Sequence, residues 1–387
     1  MPPEKSSLDR FAEEKLQALA ARQLRRILVE SAREDGIHVR RGGRLLVSFS
    51  CNDYLNLSQD ARVKKAAIAA VRQYGAGAGA SRLVTGNHPL YALLEARLAA
   101  LKGTEAACVF GSGYLANIGI IPALIGKDDL LLIDELSHAC LGAGARLTRA
   151  TVMKFRHNDL GHAEALLREH RPRHPRALLA TEGVFSMDGD RAKLPGLAEL
   201  AARHDSWLLA DDAHGLGVLG GGRGSGAAFG GAASVPLQMG TLSKAVGAYG
   251  GYLCASRAVV ELIKNRARSF VYSTGLPPAA VGAASAALDI IANDRDLVEK
   301  PLRHAREFTR LAGLPEAQSP IVPIVLGAAA RALAAAKLLE DEGYLAIAIR
   351  PPTVAESTAR LRLAFTAAHQ AADIANLAAL IRDRILR

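Results

Sequence analysis

The sequence predicts an α/β protein with a large domain built on a mostly parallel sheet and a smaller α+β C-terminal domain. Between about residues 105 and 256, short apolar runs alternate with loops and helical patterns. Several runs are almost continuously apolar, which is typical of parallel strands covered on both faces. After about residue 295 the pattern changes to helices mixed with alternating strands. We therefore expect a helical arm at 1–45 that packs with the small domain, a large domain at 46–294 and a small domain at 295–387.

The N-terminal part is predicted to hold two helices and a strand. Residues 8–34 are charged and carry apolar residues at helical spacing, which predicts an amphipathic helix. The stretch "RLLVSFS", beginning at Arg44, alternates like a strand. The stretch "NHPLYALLEARLAALKG" predicts a helix, because Pro89 suits a first turn, leucines recur on one face and Gly103 can end it.

Short apolar runs predict the strands of the large sheet, and helical patterns such as "LPGLAELAARHD" lie between them. The runs are "AACVF", "LLLID", "ALLATEG", "WLLADD", "LQMGT" and "GYLCAS". In the small domain, the predicted order is a helix near 297–312, "PIVPIVL", a helix over 328–342, "LAIAIR", "RLRLAF" and a last helix from about 371.

The composition limits the classes of partner. The chain has 387 residues, of which 50% are hydrophobic, so it can form more than one core. Its formal net charge of +10 favours anionic partners. The compact basic cluster "RPRHPR" at 171–176 lacks the interleaved aromatic residues that stack bases, so it indicates a solvated loop rather than a nucleic-acid site.

The cysteines and the N-terminus bear on location. Cys51, Cys108, Cys140 and Cys254 form no CxxC pair and match no zinc spacing, which favours free thiols in a reducing compartment and no metal site. The N-terminus lacks the apolar core of a signal peptide, and no apolar run is long enough to span a bilayer. We therefore expect a cytoplasmic protein that does not enter the membrane.

Polar residues follow several predicted strands, where open α/β sheets bind their ligands. His138 follows "LLLID", Asp211 and His214 follow "WLLA", and Lys244 lies among small residues in "GTLSKAVGAYGGY". The turn "GSGY" at 111–114 stands between a strand and a helix, a position that suits a phosphate. Taken singly, each feature also has a structural explanation: a satisfied histidine, a capping cluster or metal site, a solvated lysine and a tight turn.

One ligand would account for all of these features together. It would carry a phosphate, a flat ring and an electrophilic carbon that a lysine can hold, and pyridoxal 5′-phosphate (PLP) has these parts. Lys244 would then bind PLP covalently, Asp211 would pair with the protonated pyridine nitrogen, and His138 would stack on the ring. The other expected contacts are His214 at the ring oxygen and Ser112, Gly113 and Tyr114 at the phosphate or its edge.

Eight motifs then identify a resemblance: "NDYL", "GSGYLAN", "LSHACL", "TEGVFSMDGD", "DDAHGLGVLG", "GTLSKA", "YSTGLPP" and "IRPPTV…RLRL". They occur in the order found in α-oxoamine synthases, which are fold-type I PLP-dependent transferases, and the resemblance extends from about residue 15 to the end. It implies the same roles for Lys244, Asp211 and His138. It also implies Ser186 and His214 at the ring oxygen, Ser112, Gly113, Tyr114 and Thr241 in the cofactor shell, Thr274 at the phosphate of the neighbouring subunit of a homodimer, and Arg25, Asn52, Glu182, Thr353 and Arg362 at the substrates.

Within that family, "AIRPPTV" followed by "ARLRLAFTAAH" is most similar to the biotin-pathway member. That resemblance implies condensation of L-alanine with a pimeloyl thioester, of coenzyme A or of acyl carrier protein, with loss of carbon dioxide. The sequence departs from the family at 354–357, where "VAES" replaces the usual Val-Pro-x-Gly, and at Asn56, where glycine is usual and asparagine tolerates a left-handed backbone.

Other functions remain open at this point. A sister synthase such as glycine acetyltransferase would share most of the motifs. A non-catalytic binding subunit would be expected to have lost the lysine or the aspartate, and neither is lost. A nucleotide-binding dehydrogenase is disfavoured because no GxGxxG follows the first strand.

Overall fold

The structure, a computed structural model, describes residues 5–22, 24–229 and 235–386. The helices are α1 (Ser7–Ala21), α2 (Ala61–Tyr74), α3 (Leu90–Lys102), α4 (Gly113–Leu124), α5 (Ala139–Leu147), α6 (Leu160–His170), α7 (Leu194–Arg203), α8 (Arg257–Arg266), α9 (Arg268–Val271), α10 (Pro278–Asn293), α11 (Arg295–Ala312), α12 (Ala329–Asp341) and α13 (Ala371–Arg384). The strands are β1 (Ala32–Arg33), β2 (His38–Arg41), β3 (Arg44–Ser48), β4 (Ala106–Phe110), β5 (Leu130–Asp134), β6 (Thr151–Phe155), β7 (Ala177–Glu182), β8 (Trp207–Asp211), β9 (Leu237–Thr241), β10 (Gly251–Ala255), β11 (Ile321–Gly327), β12 (Tyr344–Leu345), β13 (Ile347–Ile349) and β14 (Ala359–Ala364).

The chain forms two compact units. The large unit comprises Cys51–Val322 and Ala364–Ala378. The small unit takes the described residues up to Ser50, Pro323–Leu363 and those from Ala379 onward. Helix α11, which the sequence pattern assigned to the small domain, therefore belongs to the large unit. Its Phe308 is fully buried there against Phe365, with ring centroids 5.0 Å apart.

The large unit contains a seven-stranded sheet in the order β4-β10-β9-β8-β7-β5-β6. Strands β6, β5, β7, β8 and β9 run parallel, and β10 is antiparallel to both of its neighbours, β4 and β9. The six strands expected from apolar runs are all present, and the α/β prediction is confirmed. Strand β6 was not predicted, because "TVMKF" is largely exposed at the sheet edge and carries a lysine instead of a continuous apolar run.

Both faces of this sheet are covered, as the continuous apolar runs predicted. Leu131 and Ile133 of β5 pack into one cluster with residues of α4, α5 and α8. The alternate residues Leu130 and Leu132 pack into another cluster with residues of α6 and α7. Because successive side chains of a strand point to opposite faces, these strands have no face left for solvent.

The sheet order brings polar strand ends to one edge of the large unit. Strands β7, β8 and β9 are parallel neighbours, and their register sets Glu182 opposite Asp211 and Asp211 opposite Met239. Glu182, Asp211 and Thr241 are the last residues of these three strands. Their side chains are therefore candidates for one site.

Helix α3 follows its prediction closely. It begins after Pro89 and ends at Gly103, whose left-handed backbone (φ 67°) closes the last turn. Leu94 and Leu98 are fully buried. Leu93, which falls on the predicted apolar face, is 45% exposed.

The small unit holds two small sheets, β1-β2-β3-β12 and β11-β14-β13. Strand β3 pairs in parallel with β12, so the N-terminal segment and a C-terminal segment share one sheet. The predicted N-terminal helix is shorter than 8–34, because α1 ends at Ala21. The described residues that follow include Ile27 and Val29, whose branched side chains are weaker helix formers, and both are exposed.

Candidate active site

Two neighbouring aspartates at the end of β8 have different partners. Asp212 is 3% exposed, and it accepts a hydrogen bond from Lys102 Nζ at 2.7 Å and another from the Ser225 backbone N–H at 3.0 Å. Lys102 is itself buried in α3. Asp212 therefore forms a compensated buried ion pair that joins α3 to the loop around Ser225.

Asp211 is equally buried but has neutral partners. Asn117 Nδ2 donates to its Oδ2 at 2.7 Å, and the Ala213 backbone N–H donates to its Oδ1 at 3.1 Å. No ion pair found in the described ranges 5–22, 24–229 and 235–386 includes Asp211. A buried carboxylate without a cationic partner is costly, so this position suits a cation supplied by a ligand.

Lys244 lies beside a chain of hydrogen-bonded rings. Its Nζ is 2.7 Å from His214 Nε2, and His214 Nδ1 is 2.7 Å from the hydroxyl oxygen of Tyr54. The Tyr54 hydroxyl also lies 3.4 Å from Asn52 Oδ1. The imidazole of His214 and the ring of Tyr54 are buried, so these contacts fix the position of the lysine amine.

A hydrogen bond joins the backbone of His138 to Glu182, the last residue of β7. Glu182 Oε1 accepts from the backbone N–H of His138 at 2.5 Å, and Oε2 accepts from that of Ser186 at 3.2 Å. Burial raises the pKa of Glu182, the negative charge of Asp211 adds to this shift, and Lys244 opposes it. Burial lowers the pKa of His138, which favours the neutral imidazole.

The start of α4 lies against the end of β9. Ser112 caps the helix by accepting from the Leu115 backbone N–H at 3.1 Å. A Cβ on Gly113 would lie 3.3 Å from Thr241 Cβ, so this helix start approaches the strand closely. Tyr114 is 51% exposed. Helix N-termini bind anions through their free N–H groups and the helix dipole, so this corner suits a phosphate.

These features fit PLP. Asp211 offers a buried carboxylate for the ring nitrogen, Lys244 offers an amine for the aldehyde, and the start of α4 offers N–H groups for the phosphate. The charges of Asp211 and Lys244 both influence the pKa values of His138 and Glu182, so these four side chains lie close together. The donor set is therefore one cluster and not several separate sites.

Other predicted residues lie outside that cluster. Thr274 is exposed and forms an isolated antiparallel bridge with Ser81. In the small unit, Arg25 is exposed, and its neighbour Arg26 donates to Thr353 Oγ1 at 3.1 Å. Arg362 is buried in β14.

The atypical loop at 354–357 keeps the backbone shape that glycine would favour. Ser357 has a left-handed backbone with φ 60°, at the position where the family usually has glycine. The Thr358 hydroxyl donates to the Ala355 carbonyl at 2.7 Å, and Arg22 lies 4.0 Å from Glu356. Asn56 likewise has φ 57°, as expected for asparagine in place of glycine.

Sequence reasoning missed several residues that support the site. Asn117 holds Asp211, Tyr54 holds His214, and Cys140 contacts both His138 and Asn117. All three stand inside motifs already singled out, namely "GSGYLAN", "NDYL" and "LSHACL". Their positions within these motifs were the available signal. Lys102 gave no such signal, because it ends a helix distant in sequence from Asp212.

Comparison with known proteins identifies the family. A family model described as "Aminotransferase class I and II" matches residues 45–381. A protein of Beijerinckia indica named 8-amino-7-oxononanoate synthase is 62% identical over 376 residues, which cover 97% of this chain and 97% of the relative. The chain belongs to the 8-amino-7-oxononanoate synthase family. Another member of this family, from Methylocella silvestris, is 64% identical and covers 90% of this chain and 99% of its own length.

Solved structures agree with this assignment. A serine palmitoyltransferase from S. paucimobilis, solved with bound PLP and myriocin, has a TM-score of 0.90 and 27% identity, covering 98% of both chains. An 8-amino-7-oxononanoate synthase from Francisella tularensis has a TM-score of 0.74 and 26% identity, covering 87% of this chain and 96% of its own. The predicted family, the fold-type I architecture and the prediction of an enzyme are confirmed. Among the helices of the described residues, none has the length and apolarity to cross a bilayer.

Proposed function

We propose that this protein uses PLP to condense L-alanine with a pimeloyl thioester, giving 8-amino-7-oxononanoate, carbon dioxide and a free thiol. The names of the relatives and the order of the motifs support this reaction. The observation that carries it is the Lys244–His214 contact of 2.7 Å within the cluster that contains the cation-free carboxylate of Asp211. A structural lysine would need neither a buried histidine beside it nor an uncompensated aspartate.

Each residue of the cluster has its own role in the proposed reaction. PLP, when bound, supplies an electron sink for negative charge at the alanine Cα. Lys244 would hold the cofactor and would carry the alanine Cα proton at Nζ, which the contact with His214 positions. Asp211 would keep the pyridine nitrogen protonated, and His138 would cover one face of the ring. Ser112, Gly113, Tyr114 and Thr241 would hold the phosphate, and Ser186 and His214 would hold the ring oxygen.

The motifs assign five residues to the substrates. Arg362 would bind the carboxylate of alanine, and Asn52 and Glu182 would contact the reacting part of the substrate. Arg25 and Thr353 contact the acyl substrate, and Arg26 holds the Thr353 hydroxyl. Coenzyme A is polyanionic and acyl carrier proteins are acidic, so the net charge of +10 favours either thioester.

The assembly proposed is a cytoplasmic homodimer with shared sites. Thr274 would supply its hydroxyl to the phosphate of the partner's cofactor, which agrees with its exposure. The free state of all four cysteines supports a reducing compartment.

The decisive experiment compares substrates on purified protein saturated with PLP. L-alanine or glycine is combined with pimeloyl or acetyl thioesters, and products are identified by mass spectrometry. We expect 8-amino-7-oxononanoate from alanine and pimeloyl thioester, with borohydride trapping a pyridoxyl adduct on Lys244. Lys244→Ala should bind PLP but not turn over. Preference for glycine with acetyl thioester would indicate a sister synthase, and absence of an adduct would indicate a binding subunit.

The shared site is tested separately by mixing chains. Each homodimer of Lys244→Ala or Thr274→Val has two defective sites. If Thr274 serves the partner, a hybrid dimer regains one site with a native Lys244 from one chain and a native Thr274 from the other. Recovery of parental PLP affinity at one of the two sites of each hybrid dimer supports the shared model. No recovery, or a monomer that holds PLP tightly at high dilution, contradicts it.

A further inference from the structure

Four side chains form a continuous line through the candidate site: those of Asn117, Cys140 and Asp211 are buried, and that of His138 is exposed. His138 Nδ1 lies 2.9 Å from Cys140 Sγ. Asn117 Nδ2 lies 3.1 Å from the same sulfur and 2.7 Å from Asp211 Oδ2. The line thus runs from the imidazole assigned to the ring face to the carboxylate assigned to the ring nitrogen.

The donor and the acceptor of each hydrogen bond in this line follow from the two residues at its ends, Asp211 and His138. Asp211 Oδ2 only accepts, so the Asn117 amide must turn Nδ2 toward it, and the second Nδ2 hydrogen points to the sulfur. His138 Nδ1 accepts from the Cys140 backbone N–H at 3.2 Å, so the neutral ring carries its proton on Nε2. The thiol proton is then the one hydrogen left for the contact between sulfur and Nδ1.

The chemistry of the sulfur supports this arrangement. Burial and the nearby charge of Asp211 raise the pKa of the Cys140 thiol far above its ordinary value, so the sulfur keeps its proton. Asp211 Oδ2 is 3.8 Å from the sulfur, farther than Nδ1, and it already accepts from Asn117. Each hydrogen of the Asn117 amide therefore has its own acceptor, and Nδ1 shares its lone pair between the Cys140 backbone N–H and the thiol.

We propose that Asn117 and Cys140 are positioning residues that join His138 to Asp211 through hydrogen bonds and fix the orientation and protonation of both. This proposal rests on the proposed function, in which His138 covers one face of the cofactor ring and Asp211 pairs with the ring nitrogen. Asn117 aims the carboxylate and compensates part of its charge. Cys140 donates to Nδ1, which stabilises the neutral imidazole and leaves Nε2–H directed away from the line.

The chain offers a matched control for this role. Cys108 is also fully buried and burial also raises its pKa, but it lies in an apolar cluster on β4. Cys108→Ala removes the same atom as Cys140→Ala without touching the line. Cys140→Ser retains a hydroxyl that can donate and accept, so it should restore what Cys140→Ala loses.

The first measurement is cofactor affinity, obtained by titrating PLP into each apoprotein and following the single tryptophan, Trp207. We expect Asn117→Leu to weaken PLP binding on the order of 10-fold or more, because it removes a donor to a buried carboxylate. Cys140→Ala should weaken it by roughly 3- to 10-fold. Cys140→Ser and Cys108→Ala should stay within about 2-fold of the parent.

The second measurement is the pH dependence of alanine Cα hydrogen exchange in deuterated solvent. Loss of the thiol donor makes Nδ1 easier to protonate, so the acidic limb of Cys140→Ala should move to higher pH by about 0.5 to 1 unit. Cys140→Ser should restore the parental limb. A purely structural cysteine would lower thermal stability in both alanine variants and leave the limb in place.

The outcomes separate this proposal from the proposed function. If the parent binds PLP but Cys140→Ala matches Cys108→Ala in affinity and in the acidic limb, the proposed line of hydrogen bonds is wrong and the enzyme assignment stands. If the parent fails to bind PLP or to exchange the alanine hydrogen, the proposed function fails and this proposal falls with it. The proposal is supported if Cys140→Ala weakens PLP binding and moves the acidic limb to higher pH, and if Cys140→Ser restores both.

Discussion

Asp211 and Asp212 are adjacent, equally buried and located at the end of the same strand, yet they meet opposite surroundings. Asp212 faces Lys102 and the Ser225 backbone, whereas Asp211 faces the neutral donors of Asn117 and Ala213. A buried carboxylate needs compensation from somewhere. The fold compensates Asp212 from within and leaves the charge of Asp211 for a ligand, so the partner and not the burial distinguishes a site residue from a structural one.

Removing the internal cation should give the largest effect. Lys102→Met leaves Asp212 buried and uncompensated, and we expect it to lower the free energy of unfolding by about 3–5 kcal/mol. Adding Asp212→Asn should restore part of this loss, because the amide oxygen can still accept from Ser225. Urea unfolding of the single and double variants checks this. A loss under about 1 kcal/mol in Lys102→Met would contradict the ion-pair interpretation.

Neutralising the other aspartate should affect chemistry and spare the fold. Asp211→Asn cannot keep the pyridine nitrogen protonated, and we expect alanine Cα hydrogen exchange to slow by about 10²- to 10³-fold. Its free energy of unfolding should stay within about 1 kcal/mol of the parent, because the new amide oxygen can accept from the Ala213 N–H and the Asn117 amide can turn so that its Oδ1 accepts from the new NH2. Undiminished exchange in deuterated solvent would remove Asp211 from the site.

His157 extends the comparison to a third buried aspartate. It lies 3.0 Å from Asp134 at the end of β5 and 2.9 Å from Asp190. Burial alone would lower the pKa of His157, but these two carboxylates outweigh burial and raise the pKa to about 10. The imidazolium therefore compensates Asp134 from within the fold, as Lys102 compensates Asp212.

The raised pKa gives this third case a pH signature. The unfolded imidazole titrates near 6.5, so its stabilising contribution is full below that pH and is lost as the pH rises to about 10. We expect His157→Gln to lower the free energy of unfolding by about 1–3 kcal/mol at pH 6. The difference from the parent should shrink toward pH 10. A difference that is constant with pH would show that charge is not the cause.

The smallest expected effect concerns Tyr54, whose hydroxyl contacts the histidine beside Lys244. Tyr54→Phe removes the hydroxyl that contacts His214 Nδ1 and leaves a ring that still fills the core. We expect a change of about 0.5–1.5 kcal/mol, seen as a 2- to 12-fold loss of PLP affinity. Titration of PLP into the apoprotein measures this loss, and an affinity equal to that of the parent would contradict a supporting role for Tyr54.

The comparison also shows what sequence can predict. Strands β5 and β8 were predictable because continuous apolar runs require cover on both faces, and Lys244 and Asp211 stand in motifs. The different partners of Asp211 and Asp212 were not predictable, because Lys102 is supplied by α3, far away in sequence. Strand β6 was not predicted from the sequence, because an exposed edge strand needs few apolar residues. The hydrogen bond from Arg26 to Thr353 depends on side-chain direction, which spacing does not give.

The placement of β10 has a consequence for how the protein is made. Gly251 of β10 pairs with Phe110 of β4, and a Cβ on it would lie 2.4 Å from the Ser112 carbonyl oxygen. The phosphate corner is therefore bounded by a segment that the ribosome delivers long after α4. At about 5–20 residues per second, β4 waits on the order of ten seconds for its neighbour. During that interval the nascent chain exposes an apolar strand edge and lacks Lys244, so newly made chains need protection from aggregation before they can load cofactor.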